Sequence, residues 1–120
     1  MKVIIAGSRT ISKYSQLLAA VAEAAREGIV ATTVISGCAS GVDKMGEIWA
    51  EEHDVPIMRF PARWSEQGRG AGMLRNRRME KNADAAIILW DGDSHGTANM
   101  ISLMQAAGKP VYVKLCHAET

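Results

Sequence analysis

The sequence predicts an α/β fold: a single doubly wound parallel sheet of about five strands in the order 3-2-1-4-5, with helices on both faces. Three observations lead there. The apolar runs lack the polar alternation of a strand with one wet face, so they read as buried on both sides. Stretches of helical period separate them. Glycine and hydroxyl residues crowd the loops at one end of the runs, while the loops at the other end (Glu27-Gly28, His53-Asp54, Ala107-Gly108) read as ordinary caps.

Val3-Ile4-Ile5-Ala6 is the first strand, stopped by Gly7. Leu17, Leu18, Val21, Ala24 and Ala25 then repeat at helical spacing, and Gly28 stands where a left-handed C-cap belongs. Thr32-Thr33-Val34-Ile35 is a β-branched second strand ended by Gly37. Val42, Met45, Trp49 and His53 make the next helical face, with Ser40 and Asp43 spaced like a capping box at its start. Pro56 to Phe60 is the third strand, proline being tolerated at its first position. Pro61 to Gly72 reads as the longest loop, followed by a weakly amphipathic helix over Leu74 to Asn82. Ala85 to Trp90 is the most apolar segment and the expected central strand. Met100, Ile101, Met104 and Ala107 share a face of the last helix, which Gly108 and Pro110 end before the strand Val111-Tyr112-Val113. Right-handed crossovers then fix the topology.

The 120 residues, 48% hydrophobic and 22% charged, suit one domain over residues 1–120. A chain of this length buries enough surface to fold without a disulfide or a structural metal. The net charge of +1 disfavours nucleic acid or a membrane surface held by bulk electrostatics. Aromatic residues at 5% disfavour a stacking platform for single strands. No apolar run approaches the roughly 20 residues of a membrane span, and Met1 to Ala6 lacks the basic start and long apolar core of a signal peptide. Cys38 and Cys116 lie far apart without zinc spacing, so no metal or cofactor is expected and the compartment reads as reducing and cytoplasmic.

In such a sheet a ligand sits at the carboxyl ends of the strands where the order reverses, here between the first and fourth. The loops there are Gly7-Ser8-Arg9-Thr10 and Asp91-Gly92-Asp93-Ser94-His95-Gly96-Thr97, with Ser36-Gly37-Cys38-Ala39-Ser40-Gly41 beside them. Glycines let backbone amides approach a phosphate closely, and helix starts aim unsatisfied N–H groups and a positive dipole end at it. Arg9 adds a permanently charged fork suited to phosphate or carboxylate. The chain has no GxGxxG followed by an acidic strand end, no GxxxxGK[ST] and no GxSxG. These absences argue against a dinucleotide dehydrogenase, an ordinary P-loop NTPase and a serine α/β-hydrolase.

Several segments taken together carry a resemblance. They are Gly7-Ser8-Arg9, Ser36-Gly37-x-Ala39-x-Gly41-Val42-Asp43 with Gly46-Glu47 and Ala50, and Phe60-Pro61-Ala62-x-Trp64. Ala71-Gly72-x-x-Arg75-Asn76-x-x-Met79, Ala83-Asp84, Trp90-Asp91-Gly92-x-Ser94-x-Gly96-Thr97 and Gly108-Lys109-Pro110-Val111 follow in the same order. Over nearly the whole chain they resemble the YspA-like branch of the SLOG superfamily. The resemblance implies a Rossmann-like fold and the binding or processing of a nucleotide-derived ligand, ADP-ribose-like molecules among them. Superfamily relatives include the LOG phosphoribohydrolases and the DNA-processing protein DprA. The Arg-Lys-x-x-Met of LOG enzymes is echoed by Arg75 to Met79, with Asn76 in place of the lysine. Their Gly-Gly-x-Gly-Thr-x-x-Glu is echoed by Asp93 to Met100, with Met100 in place of the catalytic glutamate. Without that carboxylate, the group that would stabilise an oxocarbenium-like centre or activate water is missing.

The expected ligand-binding set is Gly7, Ser8, Arg9, Ser36, Gly37, Gly41, Asp43, Glu47, Arg75, Asn76, Asp91, Gly92, Ser94, Gly96 and Thr97. Glu47 is expected to bind ribose hydroxyls or to act as a replacement catalytic carboxylate, and Arg75 to orient phosphate. Asp43 also fits the first turn of a helix, where the dipole favours acids. Arg77, Arg78 and Lys81 read as a solvated face. Trp64 is either a stacking wall for a base or a plug under its loop, and the Met100–Met104 stripe is either core or a subunit contact. Cys38 reads as a small turn residue rather than a nucleophile, and His95 as a residue able to hydrogen-bond a phosphate. The leading expectation is a module that binds a phosphorylated nucleoside or ADP-ribose-like small molecule. The alternative is a hydrolase of an N-glycosidic or phosphoribosyl bond, with Glu47 and Arg75 catalytic. Single-stranded DNA binding would rest on Arg69 to Lys81 alone and fits the net charge poorly. Seven methionines and a flat helical layer point to a homo-oligomer.

Overall fold

Five parallel strands form one sheet in the computed structural model, which describes residues 1–117. They are β1 (Lys2–Gly7), β2 (Thr33–Ser36), β3 (Ile57–Arg59), β4 (Ala85–Trp90) and β5 (Val111–Leu115), in the order β3-β2-β1-β4-β5. The expected order 3-2-1-4-5 is the one found. β1 lies at the centre, with Val3 beside Val34 of β2 and beside Ala85 of β4. Its residues Val3, Ile4 and Ile5 are fully buried, as a run without polar alternation demands.

Alternation of side chains along β1 splits the core into two layers. Val3 and Ile5 pack with Leu17, Ala20 and Ala24 of α1 (Tyr14–Arg26) and with Val42, Met45 and Ala50 of α2 (Val42–Glu52). Ile4 packs on the other face with Met79 of α4 (Ala71–Asn82) and with Met100 and Met104 of α5 (His95–Ala106). Each of the larger buried side chains here, the valines, isoleucines, leucine and methionines, contributes about 1.5–3 kcal/mol. The Met100–Met104 stripe is therefore core. Gly46 lets α2 lie close on β1, because a Cβ there would stand 2.7 Å from Ile5 Cγ2.

Three local expectations change. The Pro61–Gly72 segment holds a short helix, α3 (Trp64–Gln67), and a 3-10 turn at Gly68–Gly70, which feeds α4 at Ala71 rather than Leu74. Ala71 is fully buried and anchors that earlier start. The capping box at Ser40 and Asp43 does not form: Gly41 is the N-cap and has no side-chain cap. Asp43 instead accepts the Ala39 N–H at 3.2 Å, so it braces the preceding loop. β5 runs on to Leu115, two residues past the expected end. Ser94 caps α5, its Oγ accepting the Thr97 N–H.

Candidate ligand-binding cleft

A cavity of about 550 Å³ opens at the carboxyl edge of the sheet between β1 and β4, where the strand order reverses. Of the expected residues, Gly7, Arg9, Asp43, Arg75, Asn76, Asp91, Ser94, Gly96 and Thr97 line it. Gly37 instead lines a neighbouring cavity. Ser8, Ser36, Gly41, Glu47 and Gly92 line neither.

Residues after β1 and β4 are stitched to one another. Ser8 is buried; its N–H donates to Leu89 O at 3.0 Å and its Oγ accepts the Asp91 N–H at 3.1 Å. Thr10 Oγ1 donates to Asp91 Oδ2 at 2.9 Å. Asp91 Oδ1 accepts the Asp93 and Ser94 N–H groups at 2.8 and 2.9 Å. Those two amides, with the hydroxyls of Thr10 and Ser8, hold the Asp91 carboxyl down at about 2. Asp91 is thus a permanently charged brace at the cavity rim. Beside it Arg9 is exposed, with no hydrogen bond or ion pair among the described residues.

Loop Ser36–Gly41 is built differently. Ser36 Oγ donates to Glu47 Oε2 at 2.6 Å and accepts the Cys38 N–H at 3.1 Å. Glu47 Oε1 in turn accepts from Arg59 Nε at 3.0 Å. Burial pushes the Glu47 carboxyl up, but the bonds from Ser36 and Arg59 win and leave it below the usual carboxylate range. This buried chain holds Cys38 in the left-handed region, at φ 65°. The loop then offers the Gly37 carbonyl to Arg75 Nη1 and the Ala39 N–H to Asp43. Glu47 therefore works from behind the loop, through Ser36.

Asp43, one turn before Glu47, faces the cavity and is 4% exposed. Burial raises its carboxyl to about 6, against the pull of the Ala39 amide, the Arg75 charge and the Gly7 amide. Burial lowers the Arg75 guanidinium; the Asp43 charge opposes that shift and the Arg9 charge adds to it. Arg75 Nε donates to Asn76 Oδ1 at 3.0 Å. Asn76 Nδ2 reaches Gly96 O at 3.2 Å and Asn99 Oδ1 at 3.0 Å, tying α4 to the start of α5.

Thr10, Ala39 and Asp93 also line the larger cavity, from loops expected there though outside the expected ligand-binding set, and Ala6, Arg69, Gly72, Met73, Met79 and Met100 line it without having been expected to. Met79 and Met100 carry no local signal, because they serve the core and the cavity together, whereas Met73 is exposed at the rim. Trp64 lines both cavities and remains 53% exposed, so its indole is a wall rather than a plug. Among the described residues no group of His, Cys, Asp and Glu is arranged to hold a metal. No helix there is long and apolar enough to cross a membrane.

Comparison with known proteins bears on the same loops. A family model described as YspA, cpYpsA-related SLOG family matches residues 1–66, which include Arg9, the Ser36–Gly41 loop, Asp43 and Glu47. The chain is 31% identical over 116 residues to a protein of Mycobacterium phage D29 called Gene 61 protein, covering 92% of this chain and 93% of the phage protein. No solved structure matches it.

Proposed function

The chain belongs to the YspA, cpYpsA-related SLOG family, and on that premise we propose that it binds a phosphorylated nucleoside or an ADP-ribose-like ligand in the cleft between β1 and β4. The observation carrying this reading is the meeting of Arg9 and Arg75 at the wall of a cavity of about 550 Å³, where Arg9 has no carboxylate partner among the described residues. An anion is the group that such a pair selects, and arginine forks suit phosphate. The start of α5, capped by Ser94, adds N–H groups and a positive dipole end on the opposite side. Asp43 supplies a carboxyl for ribose hydroxyls, and Trp64 with Met79 and Met100 supplies apolar wall for a base. The free thiols Cys38 and Cys116 support a reducing, cytoplasmic setting. Thermal unfolding and calorimetry with nucleotides, cyclic nucleotides and ADP-ribose derivatives test the reading. Ligand at a hundred times its Kd stabilises by about 2.7 kcal/mol. A flat response to all of them at millimolar concentration sinks it.

Asp43 favours a second reading, an N-glycosidic hydrolase. A cavity carboxyl near 6 is suited to proton transfer at neutral pH. Water would add across the bond, its hydroxyl to the anomeric carbon and its other proton to the freed base, with Arg75 holding the phosphate. Of the two α2 carboxylates, Asp43 lines the cavity and Glu47 does not. Release of free base from nucleoside monophosphates, abolished by Asp43→Asn, supports this reading; intact nucleotide after prolonged incubation removes it.

A further inference from the structure

Both edge strands of the sheet start after a proline, Pro56 before β3 and Pro110 before β5, and there the likeness ends. β3 has three residues and closes on the half-exposed Arg59; shortness and charge are what keep an edge from pairing with another chain. β5 has five, Val-Tyr-Val-Lys-Leu. Ala86 N–H donates to Pro110 O at 3.0 Å and Cys116 N–H to Trp90 O at 2.8 Å, with Ala86 beside Val111 and Trp90 beside Leu115. A parallel ladder in that register turns the backbone of Tyr112 and Lys114 toward β4. The N–H and C=O groups of Val111, Val113 and Leu115 point away from the sheet and have no hydrogen-bond partner among the described residues. The one charge on the strand, Lys114, is paired within the chain to Glu23 at 3.0 Å.

This edge is complementary to itself. Laid antiparallel to a second β5 about a twofold axis at Val113, it sets Val113 opposite its own copy and Val111 opposite the partner's Leu115, each pair exchanging both N–H···O bonds. The side chains agree with that register. Val111 and Val113 belong to the apolar layer under α5, and Leu115, on the same side of the strand, is 68% exposed. Across the axis these three make apolar pairs. On the other side Tyr112 stands opposite the partner's Lys114, and Glu23 accepts from both Tyr112 Oη and Lys114 Nζ, so no like charges meet. Moving the axis one residue along the strand leaves Leu115 or Val111 past the end of the partner's strand, and in one direction sets the two Lys114 chains face to face. Met79, Met100 and Met104, by contrast, lie inside the chain's own core and are not available to a partner.

We infer that β5 is a homodimer interface, at which two copies of this chain join edge to edge into one continuous sheet. The inference does not depend on what the cleft binds. Five residues a side make a small contact next to the roughly 1,200 Å² of a stable interface, so the Kd belongs in the micromolar range. Light scattering on the full chain from about 1 to about 200 µM is expected to show the mass rising from one chain to two. Val113→Pro removes the N–H at the axis, which β4 does not use. It should weaken dimerisation at least about tenfold while far-ultraviolet circular dichroism stays that of the wild type. If the proline variant misfolds, Leu115→Lys, at an exposed position, sets a charge against the partner's Val111 and takes its place. Amide exchange at Val111, Val113 and Leu115 should slow as the concentration rises through the Kd, while that at Tyr112 and Lys114 holds steady. A single-chain mass throughout the range, a dimer that keeps its Kd in the variant, or exchange at the three outward amides that ignores concentration overturns the inference. The nucleotide reading stands or falls separately, by calorimetry.

Discussion

Two glycine-rich loops close the cleft, Ser36–Gly41 and Asp91–Gly96, and they read alike in the sequence. Their glycines do opposite things. A Cβ on Gly37 would stand 2.7 Å from Arg75 Nη1 and 2.8 Å from Asp43 Oδ2; one on Gly41 would stand 2.9 Å from the backbone of Arg9 and Ser8. On Gly92 and Gly96 a Cβ would meet nothing within 4 Å. The first loop needs glycine because the protein packs against itself there, fixing Arg75 and Asp43. In the second, Gly92 serves a left-handed turn at φ 87°, while Gly96 leaves the first turn of α5 open at the cavity. Glycine content marked both loops as ligand-facing; the space around each glycine separates the scaffold from the open face.

Gly41→Ala gives the largest expected effect. Its Cβ would meet backbone that cannot swing away, at a φ of 78° that side chains rarely adopt. The variant is expected to lose about 3 kcal/mol or more, read from the urea midpoint. A loss under about 1 kcal/mol would show the first loop to be as slack as the second.

Asp43→Asn tests what the tight loop holds. The folded carboxyl, raised from 3.8 to about 6, keeps its proton where the unfolded chain has lost it. The folded state therefore binds more protons through that window, and wild-type stability falls as pH rises from about 4 to about 6, then levels. The asparagine variant lacks this slope and gains up to about 3 kcal/mol at pH 7. Its affinity for a nucleotide falls at the same time. Parallel pH–stability curves for the two proteins would refute the burial of a strained carboxyl at this wall.

Arg9→Ala separates binding from folding. Losing a charge-assisted contact to phosphate costs about 1.5–3 kcal/mol, roughly 10- to 150-fold in affinity, and Arg9→Lys recovers only part because an ammonium lacks the bidentate fork. The side chain is exposed, so the thermal midpoint should hold. Unchanged nucleotide affinity in the alanine variant would move the phosphate away from Arg9.

Gly96→Ala is the smallest perturbation and the sharpest test of the contrast. Stability should stay within about 0.5 kcal/mol, since the added methyl meets open space at a helix start. Nucleotide affinity should fall, because the methyl enters the space beside the α5 amides. A stability loss rivalling that of Gly41→Ala would erase the distinction between the loops.

Sheet order and the cleft's position were legible from Val3 to Ala6 and Ala85 to Trp90, because runs without polar alternation must be central in a parallel sheet. Arg9 was legible too, as a cation placed one residue past Ser8 at the end of β1. Asp43 and Glu47 were not separable by spacing. Both belong to one helix and both are buried, yet about 6 Å of rise along it puts Asp43 at the cavity and Glu47 behind Ser36. The start of α4 at Ala71 was likewise hidden, since Ala71 is buried only once the chain has folded and local amphipathicity does not mark it.

By itself, then, the chain determined which segments are strands, how they are ordered and which edge carries the cations, for hydrophobic periodicity and the handedness of crossovers act through neighbours in sequence. Only the tertiary structure decided that Arg9 and Arg75, 66 positions apart, share a wall, and that Glu47 ends against Ser36 and Arg59 and lines neither cavity. The physical reason is that desolvation and hydrogen-bond pairing depend on what packs around a group in space, and two carboxylates of the same helix meet different surroundings once the sheet has formed.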